Sequence, residues 1–171
     1  WFLVNVYGPC QGPERVQFLN WFKDIQMPAD TNWIIMGDFN YVRFPCDRNR
    51  EGGNFTEMLQ FNEAINTLDF VEIPLKGKQY TWSNMQDTPL LEKLDWVFTL
   101  ESWTTEFPNT IVLPLAKPIS DHTPCLLQIG THTVPSPNCE GVNTAGGKCR
   151  VSKKLSNRVG NRIITSQILQ R

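Results

Sequence analysis

The pattern of apolar and polar positions changes period along this chain. Residues 1–7, Trp1-Phe2-Leu3-Val4-Asn5-Val6-Tyr7, are β-branched and aromatic enough to predict a strand, which Gly8-Pro9 ends. From Glu14 the period becomes helical. Phe18, Phe22 and Ile25 fall at i, i+4 and i+7 with Trp21 beside them, and Pro28 closes the segment. Residues 33–37 are a short apolar run led by Trp33 and ended by Gly37, the composition of a buried strand. Residues 41–53 read as a loop carrying Arg43, Arg48, Arg50 and the pair Gly52-Gly53. Asn54 and Glu57 then stand in N-cap and N3 spacing. Behind them Met58, Phe61, Ile65 and Leu68 lie at i, i+3, i+7 and i+10, which predicts an amphipathic helix whose apolar face is core rather than a binding groove.

Short strands follow at 70–73, 79–84, 91–100, 110–115 and 123–129, punctuated by Pro74, Gly77, Pro89, Pro108 and Pro118. Helices interleaved with strands and hairpin-like connections predict an α/β fold with a mixed sheet rather than a purely parallel one. After residue 129 the character changes. Residues 131–149 are rich in Thr, Pro, Ser, Asn and Gly and have little to bury, which predicts disorder. In 151–171, Leu155, Val159 and Ile163 recur at helical spacing among Lys and Arg. A marginal basic helix is one option there; Gly160 and the Asn and Ser nearby favour a solvated tail over it. The chain thus divides into a body, 1–129, and a polar, basic tail, 130–171.

Composition narrows the class. The 171 residues suffice for one domain with a real core, and 40% hydrophobic with 19% charged residues is ordinary for a globular protein. No run approaches the ~18 apolar residues of a membrane span. The N-terminus has no basic region and no small-residue cleavage site, so it is not a signal peptide, and an intracellular setting, nuclear or cytoplasmic rather than secreted, is expected. It reads as the middle of a strand, and further sequence is expected upstream. Five cysteines without a CxxC pair argue against a disulfide framework and a zinc site, leaving free thiols. The net charge of −1 hides an asymmetry: the body carries 9 Lys+Arg against 16 Asp+Glu, the tail 7 against 1. An acidic body is not the usual footprint of a nucleic-acid binder, but a site that gathers carboxylates around a divalent metal is acidic by construction.

Candidate chemistry sits at strand ends. Asp38 and Asn40, two positions apart after Gly37, would project to the same side of a sheet edge and hold a water or a phosphate oxygen. Gly37-Asp38-Phe39-Asn40 is also a sequence of turn formers, and taken alone it favours the turn reading. Asp95 interrupts the apolar strand Leu94-Asp95-Trp96-Val97-Phe98, which is expensive unless the carboxylate is paired. Ser120-Asp121-His122 precedes the last apolar strand, where His122 could donate to a phosphate or be oriented by a buried carboxylate such as Asp95. Tyr7 ends the first strand. A Ser/His/Asp hydrolase triad is a poor alternative, because three adjacent residues cannot fold back on one another and no nucleophile elbow is present.

Asn5-Val6-Tyr7, Gly37-Asp38-Phe39-Asn40, Tyr80-Thr81-Trp82, Leu94-Asp95-Trp96-Val97-Phe98 and Ser120-Asp121-His122 occur in the order and rough spacing of the endonuclease/exonuclease/phosphatase family, which includes DNase I and the AP endonucleases, and the body resembles that family. The intervening text, with Arg43-Phe44-Pro45, Gly77 to Asn84, Trp103 and Phe107-Pro108, is similar to the endonuclease domain of plant LINE-type (non-LTR) retrotransposons. The resemblance implies a DNase I-like β-sandwich with outer helices, present here as roughly its C-terminal half. It implies Mg²⁺ (or Mn²⁺) as cofactor, DNA as substrate and a reverse transcriptase region in an intact element. By the same resemblance Asp38 and Asn40 position the attacking water and His122 contacts the scissile phosphate. Asp95 orients that histidine, Tyr7 contacts phosphate, and Asp121 adjoins the metal. Arg43, Arg48 and Arg50 could reach a DNA backbone, against a solvated loop as the alternative. Trp82 could stack or wedge, against a core aromatic as the favoured alternative.

The family's principal metal-binding glutamate, and an Asn/Asp pair with it, lie in a preceding half that no stretch here matches. Two readings therefore stand: a metal-dependent, DNA-nicking endonuclease domain, and a catalytically dead remnant without the metal half. Another phosphoesterase of the same superfamily, acting on lipid head groups or RNA tails, is a third that the intervening text speaks against.

Overall fold

In a computed structural model of the chain, residues 1–27, 31–116 and 119–130 are described in full, together with the backbone of 150–153 and 162–166. The first strand, β1 (Phe2–Tyr7), is followed by helix α1 (Glu14–Lys23) and strand β2 (Trp33–Asp38). β1 and β2 pair in parallel, Phe2 beside Trp33 through Tyr7 beside Asp38, so α1 is the crossover of a βαβ unit. α1 ends at Lys23, where the Asp24 N–H donates to the Asn20 carbonyl at 3.1 Å, rather than running on to the proline expected to close it. The crossover leaves nine residues to return to the start of β2, and Pro28 lies outside the described residues.

Helix α2 (Phe55–Thr67) begins as its sequence predicts: the Asn54 side chain accepts the Glu57 N–H at 3.2 Å, and Met58, Phe61, Ala64 and Ile65 are buried. Short strands β3 (Val71–Glu72), β4 (Trp82–Ser83) and β5 (Leu91–Glu92) precede β6 (Asp95–Thr99), and a six-residue helix, α3 (Glu101–Glu106), leads to β7 (Ile111–Pro114) and β8 (Cys125–Ile129). The segment 91–100, expected as one strand, is thus broken at Lys93-Leu94, and α3 was not anticipated. β9 (Arg150–Lys153) and β10 (Arg162–Ser166) pair antiparallel with β1 and β8. The helical alternative through Ile163 is therefore not adopted at that residue. Leu155, Val159 and residues 131–149 lie outside the described residues.

One sheet has the order β3-β6-β2-β1-β9, the second β10-β8-β7, and β4-β5 form a hairpin. The large sheet mixes the parallel β1–β2 pair with antiparallel β2–β6, as the sequence predicts for an α/β chain of this pattern. β2 is buried along its whole length and feeds two cores by alternation. Trp33 and Ile35 face the helices with Phe22, Phe39, Phe61, Trp96 and Phe98. Ile34 and Met36 face the second sheet with Val97, Val112 and Leu127. Phe61 stands among the rings of Phe22, Phe39, Tyr41, Trp96 and Phe98, all within 6.4 Å of its centroid, and truncating it would cost about 3–5 kcal/mol. Cys10 and Cys46 are exposed thiols, and the buried Cys125 thiol donates to the Thr123 carbonyl at 3.5 Å. Among the described residues no helix is long and apolar enough to cross a membrane.

Candidate active site

The alternation that fills the two cores also aims the acids. Asp38 ends β2 in step with Ile34 and Met36, and Asp95 opens β6 in step with Val97, so both point between the two sheets. The two are register partners across the β2–β6 ladder. Gly37 allows this ending: its φ is +141°, and a Cβ there would lie 2.0 Å from the Val6 carbonyl oxygen.

His122 reaches the acids from the opposite sheet, just before β8. Its Nδ1 is 2.9 Å from Asp95 Oδ2, and its Nε2 is 3.6 Å from Asp38 Oδ2. The His122 N–H donates to the Ser120 hydroxyl at 3.1 Å, and an isolated β-bridge joins His122 to Trp82. Asp38, Asp95 and His122 are all buried.

Asn40 holds the outer side of Asp38. Its backbone N–H donates to Asp38 Oδ1 at 2.9 Å. Its carboxamide donates to Asp38 Oδ2 at 3.0 Å and to the Gly8 carbonyl at 2.7 Å. Both carboxamide hydrogens are thereby used, and the Asn40 Oδ1 acceptor is the atom left for the cleft. Asn40 has φ +57°, a conformation Asn tolerates, so the turn and site readings of Gly37–Asn40 are one geometry. Arg15 clamps this residue from α1: it donates to the Asn40 and Pro9 carbonyls, each at 2.9 Å, and forks onto Glu57 of α2 at 2.9 and 2.7 Å.

A cleft of about 520 Å³ opens over these groups, walled by Tyr7, Arg15, Asn40, Arg48, Trp82 and His122 among others. Tyr7 is 55% exposed on its rim. Asp121 is in the wall, where its Oδ2 accepts the Trp82 indole N–H at 3.0 Å. Trp82 is half-buried, neither core nor a free wedge. Arg48 lines the cleft with its Nε on Glu92 at 2.5 Å. Arg43 is elsewhere: it binds Asn62 and Glu72 at 2.9 and 2.7 Å and lies over the Phe44, Trp96 and Phe98 rings, so its guanidinium is spent inside the fold. Arg50 donates to the Thr88 carbonyl. The structure therefore gathers Tyr7, Asp38, Asn40, Arg48, Trp82, Asp95, Asp121 and His122 at one place and leaves Arg43 out. Arg15 and Thr81 also shape the site, and only an Arg spaced to face its Glu57 partner across two helices could have signalled the first.

The electrostatics follow from this packing. Burial, and then the facing Asp95, push the Asp38 carboxyl up to about 7, against the lowering effect of His122 and Asn40. Burial alone would lower His122, but the hydrogen bond and charge of Asp95, with Asp38 and Asp121 beyond, outweigh it and raise the imidazole. A carboxylate poised near neutrality beside an imidazolium is a base next to an acid.

Among the described residues, Asp38, Asp95 and His122 are the one group of three such side chains whose ligand atoms lie within 4.8 Å of one another. Both histidine nitrogens already face carboxylates there, Nδ1 through a hydrogen bond to Asp95 and Nε2 through a longer ionic contact with Asp38, so the trio is held as a relay rather than opened as a cage. Asp121 in the cleft wall and the buried Asp38 supply carboxylate oxygens, the donor type that a hard divalent cation takes.

No protein-family model matches the chain, and no curated protein matches it significantly. Solved structures do. The endonuclease domain of TRAS1, a telomere-specific non-LTR retrotransposon, matches with a TM-score of 0.58 and 17% identity over 77% of this chain and 58% of that one. A 3′-5′ exonuclease from Neisseria meningitidis matches with a TM-score of 0.56 and 17% identity over 72% of this chain and 59% of its own. Beta toxin from Staphylococcus aureus matches with a TM-score of 0.50 and 16% identity over 72% of this chain and 50% of its own. The chain spans between half and three-fifths of the length of these structures, and its fold is the mixed α/β, DNase I-like one they share.

Proposed function

We propose that the body of this chain carries the catalytic relay of a divalent-metal-dependent phosphodiesterase that nicks DNA, as the endonuclease part of a LINE-type retrotransposon protein with a reverse transcriptase region elsewhere in the element. The observation that carries the reading is the Asp95–His122–Asp38 relay, with Asn40 Oδ1 beside it at the floor of an open cleft. The likeness of fold to two nucleases supports it.

In-line hydrolysis needs a positioned water, a base to take its proton and donors for the phosphoryl oxygens. Asn40 Oδ1 accepts one hydrogen of the water, and Asp38 takes the other. Asp95 holds the imidazole through Nδ1, which leaves the Nε2–H to donate to a non-bridging phosphate oxygen. Tyr7 and Arg48, on the cleft wall, would contact the flanking phosphates. Asp121 and Asp38 would hold Mg²⁺ or Mn²⁺, which when bound supplies Lewis-acid stabilisation of the charge on the phosphoryl oxygens.

A second reading, a catalytically dead remnant, is favoured by one observation. Apart from the relay, no other trio of His, Cys, Asp or Glu among the described residues is close enough to hold an ion. Nicking of supercoiled plasmid by the purified chain, with Mg²⁺ and with EDTA, separates the two readings. Metal-dependent nicking that vanishes in His122→Ala supports the enzyme. Absence of nicking from a folded chain supports the remnant, and equal nicking by both proteins marks a contaminant and removes the support.

A further inference from the structure

We infer that Thr81 is a positioning residue for the Asp95–His122 pair, an inference that rests on the relay proposed above. Thr81 is 1% exposed. Its Oγ1 accepts two consecutive backbone N–H groups, those of Leu94 and Asp95, each at 3.0 Å. Its own N–H donates to the Glu92 carbonyl at 2.9 Å, and its carbonyl accepts the Thr123 N–H at 2.7 Å.

In a regular strand, successive N–H groups point to opposite edges. Two that converge on one oxygen mark a kink, and this one falls where β5 gives way to β6. The kink makes Asp95 the first residue of β6, opposite Asp38. On the other side, Thr123 follows His122 directly, so the Thr81 carbonyl tethers the histidine's backbone while the hydroxyl sets the aspartate's. The backbone bridge between Trp82 and His122 adds a second tie from the same segment. One residue thus ties the backbone beside both partners, and its side chain sets the Asp95 end of the contact between Asp95 Oδ2 and His122 Nδ1. Serine can accept the same two amides. Valine cannot, and leaves both buried and unpaired. A threonine that only stabilised the fold would, when replaced, lower stability and leave the Nδ1–H···Oδ2 bond as it was.

The test is proton and ¹⁵N NMR of the full chain, following the downfield imidazole Nδ1–H resonance assigned to His122 by its loss in Asp95→Asn. The expected result is that wild type and Thr81→Ser show the resonance, while folded Thr81→Val loses it or shifts it upfield. In plasmid nicking, Thr81→Val then lowers kcat by roughly tenfold to a hundredfold with KM unmoved. Folded Thr81→Val with the wild-type resonance overturns the inference and leaves the relay standing. No such resonance in wild type overturns the relay, and the inference with it. Should Thr81→Val not fold, amide exchange in the wild type decides: Leu94 and Asp95 amides protected like the rest of β6 support the inference, and exchange at loop rates overturns it.

Discussion

Asp38 and Asp95 stand directly opposite each other on neighbouring antiparallel strands, both buried. Two like charges in that position repel, and burial removes the water that would screen them. His122 resolves the conflict by placing one ring nitrogen toward each carboxylate, and Asn40 adds two donors on the far side of Asp38. The acids are thereby made unequal. Asp95 is tied to the imidazole at 2.9 Å and orients it, while Asp38, at 3.6 Å, keeps the capacity to take a proton.

That inequality predicts the outcome of Asp95→Asn. The carboxamide fills the same volume but cannot hold an imidazolium, so the Nε2–H is no longer kept for the phosphate. Plasmid nicking should fall on the order of 10²–10⁴-fold with the fold intact by circular dichroism. Nicking within threefold of wild type would remove Asp95 from the relay.

The pair also predicts how stability depends on pH in metal-free buffer. Asp38 is raised to about 7 in the folded chain from an ordinary 3.8, so the native state binds its proton more tightly than the unfolded state. The stabilisation is complete below about 4 and is lost as pH rises through 7. His122 is raised as well, and its contribution is likewise present below its ordinary value of 6.5 and lost above its raised one. Both slopes run the same way. The urea midpoint in EDTA should therefore be lower at pH 8 than at pH 5, and Asp38→Asn should flatten the difference. A midpoint that rises from pH 5 to pH 8 would contradict the assignment.

Much of this arrangement is legible in the chain, and what is not has physical causes. The run 33–37 and the Asn54/Glu57 start of α2 depend on local pattern and appear where the pattern places them. Asp95 is expensive inside an apolar strand, which already demands a partner. The break between β5 and β6 is invisible locally because the oxygen that causes it belongs to Thr81, thirteen positions from Leu94. α3 has six residues, no side-chain cap and one buried side chain, Trp103, so it carries no period to read. Arg43 looks free in sequence because its partners, Asn62 and Glu72, are 19 and 29 positions away.

Gly37 and Gly77 separate close approach from backbone conformation. Both have positive φ, +141° and +76°. A Cβ on Gly77 meets nothing within 4 Å, whereas one on Gly37 would stand 2.0 Å from the Val6 carbonyl oxygen in the centre of the sheet. Gly77→Ala should cost about 1 kcal/mol from the dihedral alone, and Gly37→Ala more than roughly 3 kcal/mol as β1 and β2 are forced apart. Chemical denaturation measures both. Equal costs would mean that β2 can shift to make room.

Arg43 and Arg48 should part company in DNA binding. Arg48 lies in the cleft wall with its Nε on Glu92, where a phosphate bound in the cleft would meet its guanidinium. Arg43 is bound to Glu72 and Asn62 and lies over aromatic rings. Arg48→Ala should weaken binding to DNA of any sequence and reduce the slope of log affinity against log salt by about one. Arg43→Ala should leave that slope alone and lower the melting temperature, because Glu72 then keeps Lys93 as its cation but loses the pair at 2.7 Å. Fluorescence anisotropy across a salt series, with a thermal melt of each variant, tests both. A salt slope changed by Arg43→Ala and untouched by Arg48→Ala would move the DNA path to the outer face of the sheet, away from the relay.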